Sequence, residues 1–391
     1  MAPRTRRLVL WLSAPIITFV VIGGLVGKVR AREETYPHLR VFNDVVGLIT
    51  DRYVEKADMT KVMTGAMHGL AEGLDPDSAY LPPAEAAQAQ QAAPLPTGDV
   101  GLDLTRQYWL RVIAARDGSP AAKAGLRTGD YVRAIGDTPT REMSVREGMR
   151  RLRGVPGTTI SLTVIRGSAN DPHVVELVRE AAPATEVTSR TVAPGVGYVR
   201  IAAISSGTSA ATSKAIAGLS AAGARSLIID VRRVSGGSLE GGLALARLFV
   251  SHGTLTTRES RETTPRKIEA APGDGAITLP VILLVDNGTS SGAELFASAL
   301  AGNGRADLVG EHTIGRAGEQ TLVPLPDGSA LWLTTAKYAA PDGSPLHEKG
   351  LEPTVAVEEP DVEFGQPAPA TDAILDAAIA RATTVAVRGA A

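Results

Sequence analysis

The stretch of sequence that decides the fold is VILLVDNGTSSGAELFASAL, residues 281–300. The first part, VILLVDNG (281–288), is a short apolar run that ends in a turn sequence, which is typical of a fully buried strand. A helix is predicted to begin directly after this turn, near Ser291. The stretch therefore predicts a serine hydroxyl at a strand-to-helix corner, close to the backbone N–H groups of a helix N-terminus.

Strand and helix alternate in the same way ahead of this stretch. GVGYVRIAAI (195–204) and SLIIDVR (226–232) have the pattern of strands, the second one fully buried. TSAATSKAIAGLSAAG (208–223) and SLEGGLALARLFVSHG (238–253) have helical spacing. This alternation is typical of an α/β domain with parallel strand pairing, and we predict such a core over residues 184–362.

A different pattern precedes the predicted core. Residues 96–183 contain short strand-like runs separated by Gly and Pro turns, which predicts a compact β-rich domain. A helical segment within it, SVREGMRRLRG (144–154), is strongly basic. We favour a solvated helix face as the interpretation of these arginines over a phosphate-binding patch.

Two further regions flank these domains. Residues 31–95 have helical periodicity that stops at the turn-rich LDPDSAYLPP (74–83), and they predict an N-terminal helical region. Residues 363–391 begin rich in Pro and Ala and then take on the pattern of a helix, which predicts a C-terminal linker and helix. We assign no chemistry to this tail.

The N-terminal segment, residues 1–30, predicts a membrane anchor. Three arginines precede the uncharged run LVLWLSAPIITFVVIGGLVG (8–27), and basic residues follow it. A run of about 20 apolar residues can cross a bilayer as a helix. The basic residues that follow favour an uncleaved signal anchor over a cleaved signal peptide. With the arginines held inside, we expect a single-pass protein of the cytoplasmic (inner) membrane, in contact with the lipid bilayer through residues 8–27, whose remaining chain is extracytoplasmic or periplasmic.

Composition excludes several classes of function. The chain has 391 residues and no cysteine, so disulfides, thiolate metal sites and cysteine nucleophiles are excluded. A net charge of -2 gives no electrostatic reason to expect nucleic acid as a partner. The six histidines have no spacing typical of a metal site. We therefore expect neither a metal nor an organic cofactor.

Seven blocks that occur in order resemble the C-terminal processing, or tail-specific, serine peptidases. This resemblance implies an α/β protease core of the ClpP/crotonase-like type, an inserted PDZ domain, an N-terminal helical region, and hydrolysis by a serine and a lysine without a metal. The blocks are LDPDSAYL (74–81), GSPAAKAGLRTGDYVRAI (118–135), GYVRI (197–201), LIIDVRRVSGG (227–237), VDNGTSSGAELFASAL (285–300), GRADLVGEHTIGRAGEQ (304–320) and PLPDGSALWLTTAKYAAPDGSPLHEKGLEP (324–353).

The resemblance implies a nucleophile and an oxyanion hole. The nucleophile position falls on Ser291, and the oxyanion amides fall on Gly292 and on Gly236 or Gly237. The Asn-Pro that usually precedes the two glycines is Val-Ser in this chain (234–235). From the residues alone, Ser291 with Glu294 three positions later also fits a helix capping box. Together with the surrounding blocks, we favour the nucleophile.

The position of the family's general base departs from the pattern. The resemblance implies lysine where this chain has Arg316, whereas the glutamine of the same motif is retained as Gln320. Arginine stays protonated in proteins, so it cannot act as a general base. Either another group deprotonates Ser291, or this chain hydrolyses peptides very slowly or not at all.

Few groups near Arg316 in sequence could replace the lysine. Glu294 follows the serine, His312 favours a solvent-facing role, and Glu319 is a candidate partner for the charge of Arg316. A Ser-His-Asp triad assembled from distant segments also stays open, because triads are recognised by geometry and not by sequence order.

The resemblance also implies a peptide-binding strand and loop in the PDZ domain, at Val100, Gly101, Leu102, Asp103 and Leu104. Such domains add a peptide strand to a sheet edge and hold its terminal carboxylate on backbone amides. The expected partners are protein or peptide substrates with free C-termini. Two functions follow as hypotheses: an extracytoplasmic serine endopeptidase, or a catalytically impaired relative that acts as a peptide-binding adaptor or regulator.

Overall fold

The computed structural model of the chain describes residues 37–91, 96–167, 171–181, 186–360, 362–366 and 369–388. The chain divides into two compact units, Met1–Met67 and His68–Ala391. Up to residue 181 the elements are α1 (37–52), α2 (Met59–Glu72), β1 (Ala79–Leu81), α3 (Pro83–Gln90), β2 (Gly98–Asp99), β3 (Leu102–Gln107), β4 (Trp109–Ala115), α4 (Pro120–Lys123), β5 (Tyr131–Ile135), β6 (Thr138–Pro139), α5 (Val145–Leu152), β7 (Thr159–Ile165), β8 (His173–Val178) and β9 (Glu180–Ala181).

The remaining elements form the C-terminal part of the chain. They are β10 (Val187–Ala193), β11 (Val196–Ile201), α6 (Thr208–Ala221), β12 (Ser226–Asp230), α7 (Leu239–Ala246), β13 (Thr254–Ser260), β14 (Arg266–Glu269), β15 (Val281–Val285), α8 (Ser291–Gly302), β16 (Ala306–Gly310), β17 (Gly318–Pro324), β18 (Ala330–Ala339), β19 (Val355–Ala356) and α9 (Ala373–Arg388).

The predicted membrane localisation needs correction. No helix within the described residues has the length and apolar character needed to cross a bilayer. This finding contradicts the single-pass localisation in the cytoplasmic membrane that was expected from the sequence, and that localisation is not retained. The run at 8–27, on which the expectation rested, lies outside the described residues.

A six-stranded sheet forms the core of the C-terminal part. Its order is β10-β11-β12-β15-β16-β19, and all pairs from β11 onward are parallel, as the alternation of strand and helix predicts. The central strands β12 and β15 are buried at every residue, because a parallel sheet is covered on both faces. The pairs put the carboxyl ends of β12 and β15 side by side, at residues 230 and 284.

Side chains alternate between the two faces of this sheet. Leu227, Ile229 and Leu283 face the core built with α6, α7 and α8. Ile228 and Ile282 face the opposite way and pack with α9. The C-terminal helix therefore closes the second face of the sheet, although the sequence assigned no role to that tail.

An antiparallel sheet lies at the side of this core and brings distant segments together. Its order is β1-β18-β13-β14, with β17 paired to β18. The pair of β1 with β18 sets Ala79 opposite Trp332, so the turn-rich segment that precedes β1 joins the second half of the chain. This pairing determines where residues 74–78 lie.

The inserted β-rich region has a sheet and a core of its own. Strands β3, β4, β5, β7 and β8 follow one another in the sheet, and β6 pairs with β5. Strand β3 is one of the two edge strands, and α5 packs beside it. The side chains of Val100, Leu102 and Leu104 are fully or almost fully buried in this core.

A buried ion cluster attaches α9 to the sheet. Arg232 donates to Asp230 at 2.7 Å and to Asp372, next to the start of α9, at 2.7 Å. Burial alone would raise the pKa of Asp230, but the charges of Arg200 and Arg232 lower it to about 2. The side chains of Arg232 and Asp230 are only 4% and 1% exposed. Removing one member of such a buried pair leaves an uncompensated charge.

We expect Arg232→Met to lower the free energy of unfolding by about 3 kcal/mol, because Asp230 would keep only Arg200 as a cationic partner. Urea denaturation followed by circular dichroism measures this change. The matched control is Arg381→Met, which removes an exposed ion pair between α9 and Asp307 and should cost less than about 1 kcal/mol. Equal losses of unfolding free energy in the two variants would contradict the role of Arg232 as the buried partner of Asp230.

Candidate active site

The corner between β15 and α8 carries an unusual backbone conformation at Ser291. Its φ is 52°, in the left-handed region that non-glycine residues rarely adopt. Such a conformation costs on the order of 1–3 kcal/mol and persists where the surrounding structure fixes it. The N–H of Ser291 donates to the carbonyl oxygen of Arg316 at 3.1 Å, so the strained serine is held by the segment of the predicted base position.

The neighbouring serine, not Ser291, occupies the N-cap position of α8. Ser290 has extended backbone angles, and its hydroxyl donates to the carbonyl oxygen of Ser235 at 3.0 Å instead of capping the helix. The N–H of Ser290 donates to the carbonyl oxygen of Val234 at 3.0 Å. These two bonds hold the serine corner against the 234–238 turn. Because Ser290 and not Ser291 is the N-cap residue, the structure does not have the capping box that Ser291 and Glu294 could have formed.

The glycines predicted to supply oxyanion contacts lie where the two turns meet. A Cβ atom on Gly292 would come within 2.4 Å of the carbonyl oxygen of Ser238, and one on Gly237 would come within 2.4 Å of that of Ile204. Gly237 also has a φ of 100°. Glycine is therefore required at both positions by close backbone approach. The N-terminus of α8 is in direct contact with the 234–238 turn at Ser238.

The turn that precedes the serine is organised by Asp286. This carboxylate accepts the backbone N–H groups of Arg233 at 2.9 Å and Gly288 at 3.0 Å, and the hydroxyl of Thr289 at 3.1 Å. Burial raises the pKa of Asp286 to about 6, although these bonds and the charge of Arg233 act in the opposite direction. Asp286 thus links the end of β15 to the segment that follows β12.

Glu294 is a structural partner of the base position and not a free base. It is fully buried and accepts the N–H groups of Gly315 at 2.8 Å and Arg316 at 2.7 Å, and it also accepts the hydroxyl of Thr313. Burial raises the pKa of Glu294 to about 7, and the three hydrogen bonds oppose that rise. Both carboxylate oxygens face the 313–316 segment, so Glu294 fixes this segment against the first turn of α8.

The side chain of Arg316 is held by Asp77. Its Nε donates to Asp77 at 2.9 Å, its Nη2 lies 2.6 Å from the other carboxylate oxygen, and its Nη1 donates to the carbonyl oxygen of Leu104 at 3.3 Å. Burial alone would lower the pKa of Arg316, but the charge and hydrogen bonds of Asp77 raise it above its ordinary value. Position 316 therefore holds a fixed cation.

The sequence did not identify Asp77, which comes from a block to which it assigned no chemistry.

Two other predictions concern the side chains of Glu319 and His312. Glu319, a candidate partner of Arg316, instead pairs with Arg258 at 2.6 Å and accepts the hydroxyl of Tyr338, so that expectation was wrong. His312 is 44% exposed and lies 3.5 Å from Glu352, as its expected solvent-facing role requires.

Gln320 follows Arg316 on β17. Its side-chain amide donates to the hydroxyl of Thr334 on β18 at 3.3 Å. The backbone of β17 pairs with β18 in the same place, with Gln320 opposite Thr334. This strand pairing fixes the direction in which the chain leaves the 313–316 segment.

The predicted peptide-binding strand of the PDZ region contacts the serine corner. Asp103 on β3 accepts the hydroxyl of Ser235 at 2.5 Å, and the next residue, Leu104, accepts from Arg316. Gly101 has a φ of 76°, and a Cβ atom there would come within 2.2 Å of the side chain of Ser119. The substitution of Val-Ser for Asn-Pro at 234–235 thus supplies the hydroxyl that joins the two regions.

A second contact fixes the PDZ region to the core. Asp117 lies 2.8 Å from Arg200 and 3.2 Å from Arg233. Burial alone would raise the pKa of Asp117, but the charges of these two arginines lower it. The backbone N–H of Arg233, in the segment after β12, donates to Asp286. Asp117 therefore connects the PDZ region, through Arg233, to the carboxylate that organises the turn before the serine.

Comparison with known proteins identifies the families that this chain resembles. The chain matches the model of peptidase family S41 over residues 195–357 and the model of the PDZ domain over residues 111–166. A carboxyl-terminal-processing protease of Synechocystis is 30% identical over 343 residues, 85% of this chain and 79% of the relative. A carboxy-terminal-processing protease of Bartonella bacilliformis is 29% identical over 334 residues, 84% and 77% of the two chains.

Among solved structures, a photosystem II D1 C-terminal processing protease superposes with a TM-score of 0.68 at 27% identity, covering 81% of this chain and 86% of that one.

A serine at a strained strand-to-helix corner, beside a glycine turn and joined to a PDZ domain, defines the class as a PDZ-containing serine peptidase fold. The chain belongs to the C-terminal processing peptidases of family S41. The family resemblance seen in the sequence is thereby confirmed.

We expect the contribution of Glu294 to stability to fall as the pH rises. Its pKa is raised to about 7 in the folded chain from 4.5, so the native state binds the additional proton between these values. The stabilisation is therefore complete below pH 4.5 and is lost as the pH approaches 7. Thermal unfolding of the wild type and of Glu294→Gln, which does not titrate, measures the effect between about pH 4.5 and about pH 8.

The melting temperature of the wild type minus that of Glu294→Gln should decrease over this interval. The glutamine variant is itself the control for every other titrating group, because only residue 294 differs. A difference that stays constant or grows over this interval would mean that the three donors keep Glu294 ionised in the folded chain, contrary to the expectation.

Proposed function

We propose that this chain is a serine endopeptidase that hydrolyses peptide bonds in protein chains with free C-termini, with Ser291 as the nucleophile. The observation that supports this most is the left-handed backbone of Ser291 at the start of α8, between the 234–238 turn and the 313–316 segment. A hydroxyl on a sharp strand-to-helix turn is exposed to a substrate carbonyl and lies beside helix N-terminal amides.

The backbone amides suit the charge that develops during acyl transfer. When the Ser291 oxygen attacks the carbonyl carbon, the carbonyl oxygen becomes negative, and the N–H groups of Gly292 and of Gly236 or Gly237 would stabilise it. Gly292 lets the first turn of α8 approach the carbonyl oxygen of Ser238 closely, since a side chain there would meet that oxygen. In this proposal Gln320 supports the strand that carries the base position.

The proton of Ser291 is the weak point of the proposed reaction. The family's base is a lysine, and the residue at that position here is Arg316, paired with Asp77. A guanidinium with a raised pKa cannot accept a proton at neutral pH. Glu294, the nearest alternative by sequence, has its oxygens occupied by the 313–316 segment. We therefore propose slow hydrolysis in which the Ser291 proton passes to solvent water, while the oxyanion contacts and substrate positioning supply the catalytic effect.

A second function is favoured by one observation in particular. Arg316 donates to both Asp77 and the β3 carbonyl of Leu104, which is the role of a structural cation. A chain with such a centre would act as a peptide-binding adaptor or regulator through Val100, Gly101, Leu102, Asp103 and Leu104, without turnover. The two functions share the PDZ domain and differ only in cleavage.

Cleavage of an unstructured protein separates the two functions. We expect wild type to cleave such a substrate slowly, at a rate at least about tenfold above that of Ser291→Ala, because only a serine oxygen can form the acyl bond while its proton passes to solvent water. Gel electrophoresis and mass spectrometry of the products measure the rate. Indistinguishable rates for the two proteins would reject the peptidase and leave the adaptor.

Peptide capture has a test that does not depend on cleavage. We expect a fluorescent peptide with an apolar free C-terminus to bind Ser291→Ala, and its C-terminally amidated form to bind at least about tenfold more weakly, since the backbone amides of the 100–104 strand and loop would no longer meet a carboxylate. Fluorescence anisotropy measures both affinities. The amidated peptide is the matched control, and equal affinities would exclude carboxylate capture.

A further inference from the structure

We infer that Asp77 is a positioning residue that keeps any basic side chain at position 316 in its cationic form. The serine site of this chain would then be blocked at two residues, and replacing Arg316 with lysine would not by itself restore a general base. The inference rests on the proposed role of Ser291, but it concerns a residue that neither the sequence nor the family resemblance assigns.

The position of Asp77 is fixed by its own loop. The carboxylate of Asp75 accepts the N–H groups of Asp77 and Ser78, each at 2.8 Å, and the hydroxyl of Ser78 at 2.7 Å. Ser78 in turn accepts the N–H of Thr334 at 3.1 Å, and β1 continues into the pairing with β18. These bonds fix the backbone of Asp77, so its Cα cannot move away from position 316 without breaking them.

The ion pair is close and mostly removed from solvent. Both Asp77 oxygens lie within 2.9 Å of guanidinium nitrogens, and the Asp77 side chain is 7% exposed whereas that of Arg316 is 25% exposed. An opposite charge at this distance typically shifts a pKa by about one to three units in favour of the charged form. For a base, that shift acts against the neutral form on which catalysis depends.

A lysine at position 316 would face the same carboxylate. Lysine has the same number of atoms as arginine up to the guanidinium carbon, so its ammonium would fall near that carbon, between the two Asp77 oxygens. Each unit by which its pKa rises lowers the fraction of neutral amine about tenfold at neutral pH. A buried lysine becomes a base only when burial, unopposed by a nearby anion, lowers its pKa.

Other acidic groups around position 316 have their own partners. Asp103 on β3 accepts the Ser235 hydroxyl, Asp75 accepts from its own loop, and Glu294 on α8 accepts the backbone of residues 313–316. Asp77, Asp103 and Asp75 all favour the cation at 316, in that order. Asp77 is thus the carboxylate whose removal would most favour the neutral form of a basic side chain at position 316.

The test uses the full chain with Arg316→Lys alone and with Arg316→Lys plus Asp77→Asn. The asparagine is nearly isosteric and removes the charge; Asp77→Ser in the same background is a second variant that must give the same direction. The matched control is Arg316→Lys plus Asp307→Asn, since Asp307 pairs with the surface residue Arg381. Thermal unfolding verifies that each variant is folded.

The direct measurement is the reactivity of the amine that Arg316→Lys introduces. Acetic anhydride modifies only neutral amines, and mass spectrometry of the peptide that contains residue 316 gives the extent of reaction against pH. We expect the midpoint to lie at least about one pH unit lower in the Asp77→Asn variant than in Arg316→Lys alone or in the Asp307→Asn control. Equal midpoints would overturn the inference.

Cleavage of the unstructured substrate gives the functional outcome. At about pH 7.5 we expect the variant that combines Arg316→Lys with Asp77→Asn to cleave at least about tenfold faster than Arg316→Lys alone, because more of the amine is neutral. Its pH–rate profile should shift to lower pH, and addition of Ser291→Ala should abolish the difference. Arg316→Lys alone cleaving as fast as the double variant would also overturn the inference. If no variant cleaves, the proposed function fails, and amine labelling still decides the role of Asp77.

Discussion

The left-handed conformation of Ser291 is the constraint on which the rest of the site depends. A non-glycine residue at a φ of 52° stays in place only where several contacts fix the chain on both sides. Here Ser290 is bonded to the 234–238 turn, the N–H of Ser291 is bonded to Arg316, and Glu294 holds the 313–316 segment to the same helix. These contacts come from two other parts of the fold, the 234–238 turn and the 313–316 segment, so the corner exists only when the sheets are assembled.

The same contacts explain why the site keeps its shape although Arg316 replaces the lysine that serves as the base in the family. The backbone of residue 316 serves Ser291 and Glu294, whereas its side chain serves Asp77 and the β3 strand. Backbone and side chain thus have separate roles at this position. A change of side chain can alter the chemistry while the serine corner, the glycine turn and the peptidase fold are retained.

The PDZ region and the serine site share a single polar interface. Asp103 accepts the hydroxyl of Ser235, Leu104 accepts from Arg316, and Asp117 lies between Arg200 and Arg233. The strand expected to capture a peptide terminus therefore carries contacts that also belong to the catalytic centre. The strand proposed to bind peptide is connected through Ser235 and Arg316 to the two segments that hold Ser291, the proposed nucleophile.

The sequence by itself determined the local elements and the family, because strand–turn–helix patterns and ordered motif blocks depend on neighbouring residues. It located the serine corner, the glycine turn and the cation at 316. Only the tertiary structure decided the charge partners: Asp77 and Arg316 are 239 residues apart, and Asp103 and Ser235 are 132 apart. The sequence offered nearby Glu319 as a candidate partner for Arg316, yet Glu319 pairs with Arg258. Such partners are set by strand pairing and packing, which have no signal in sequence spacing.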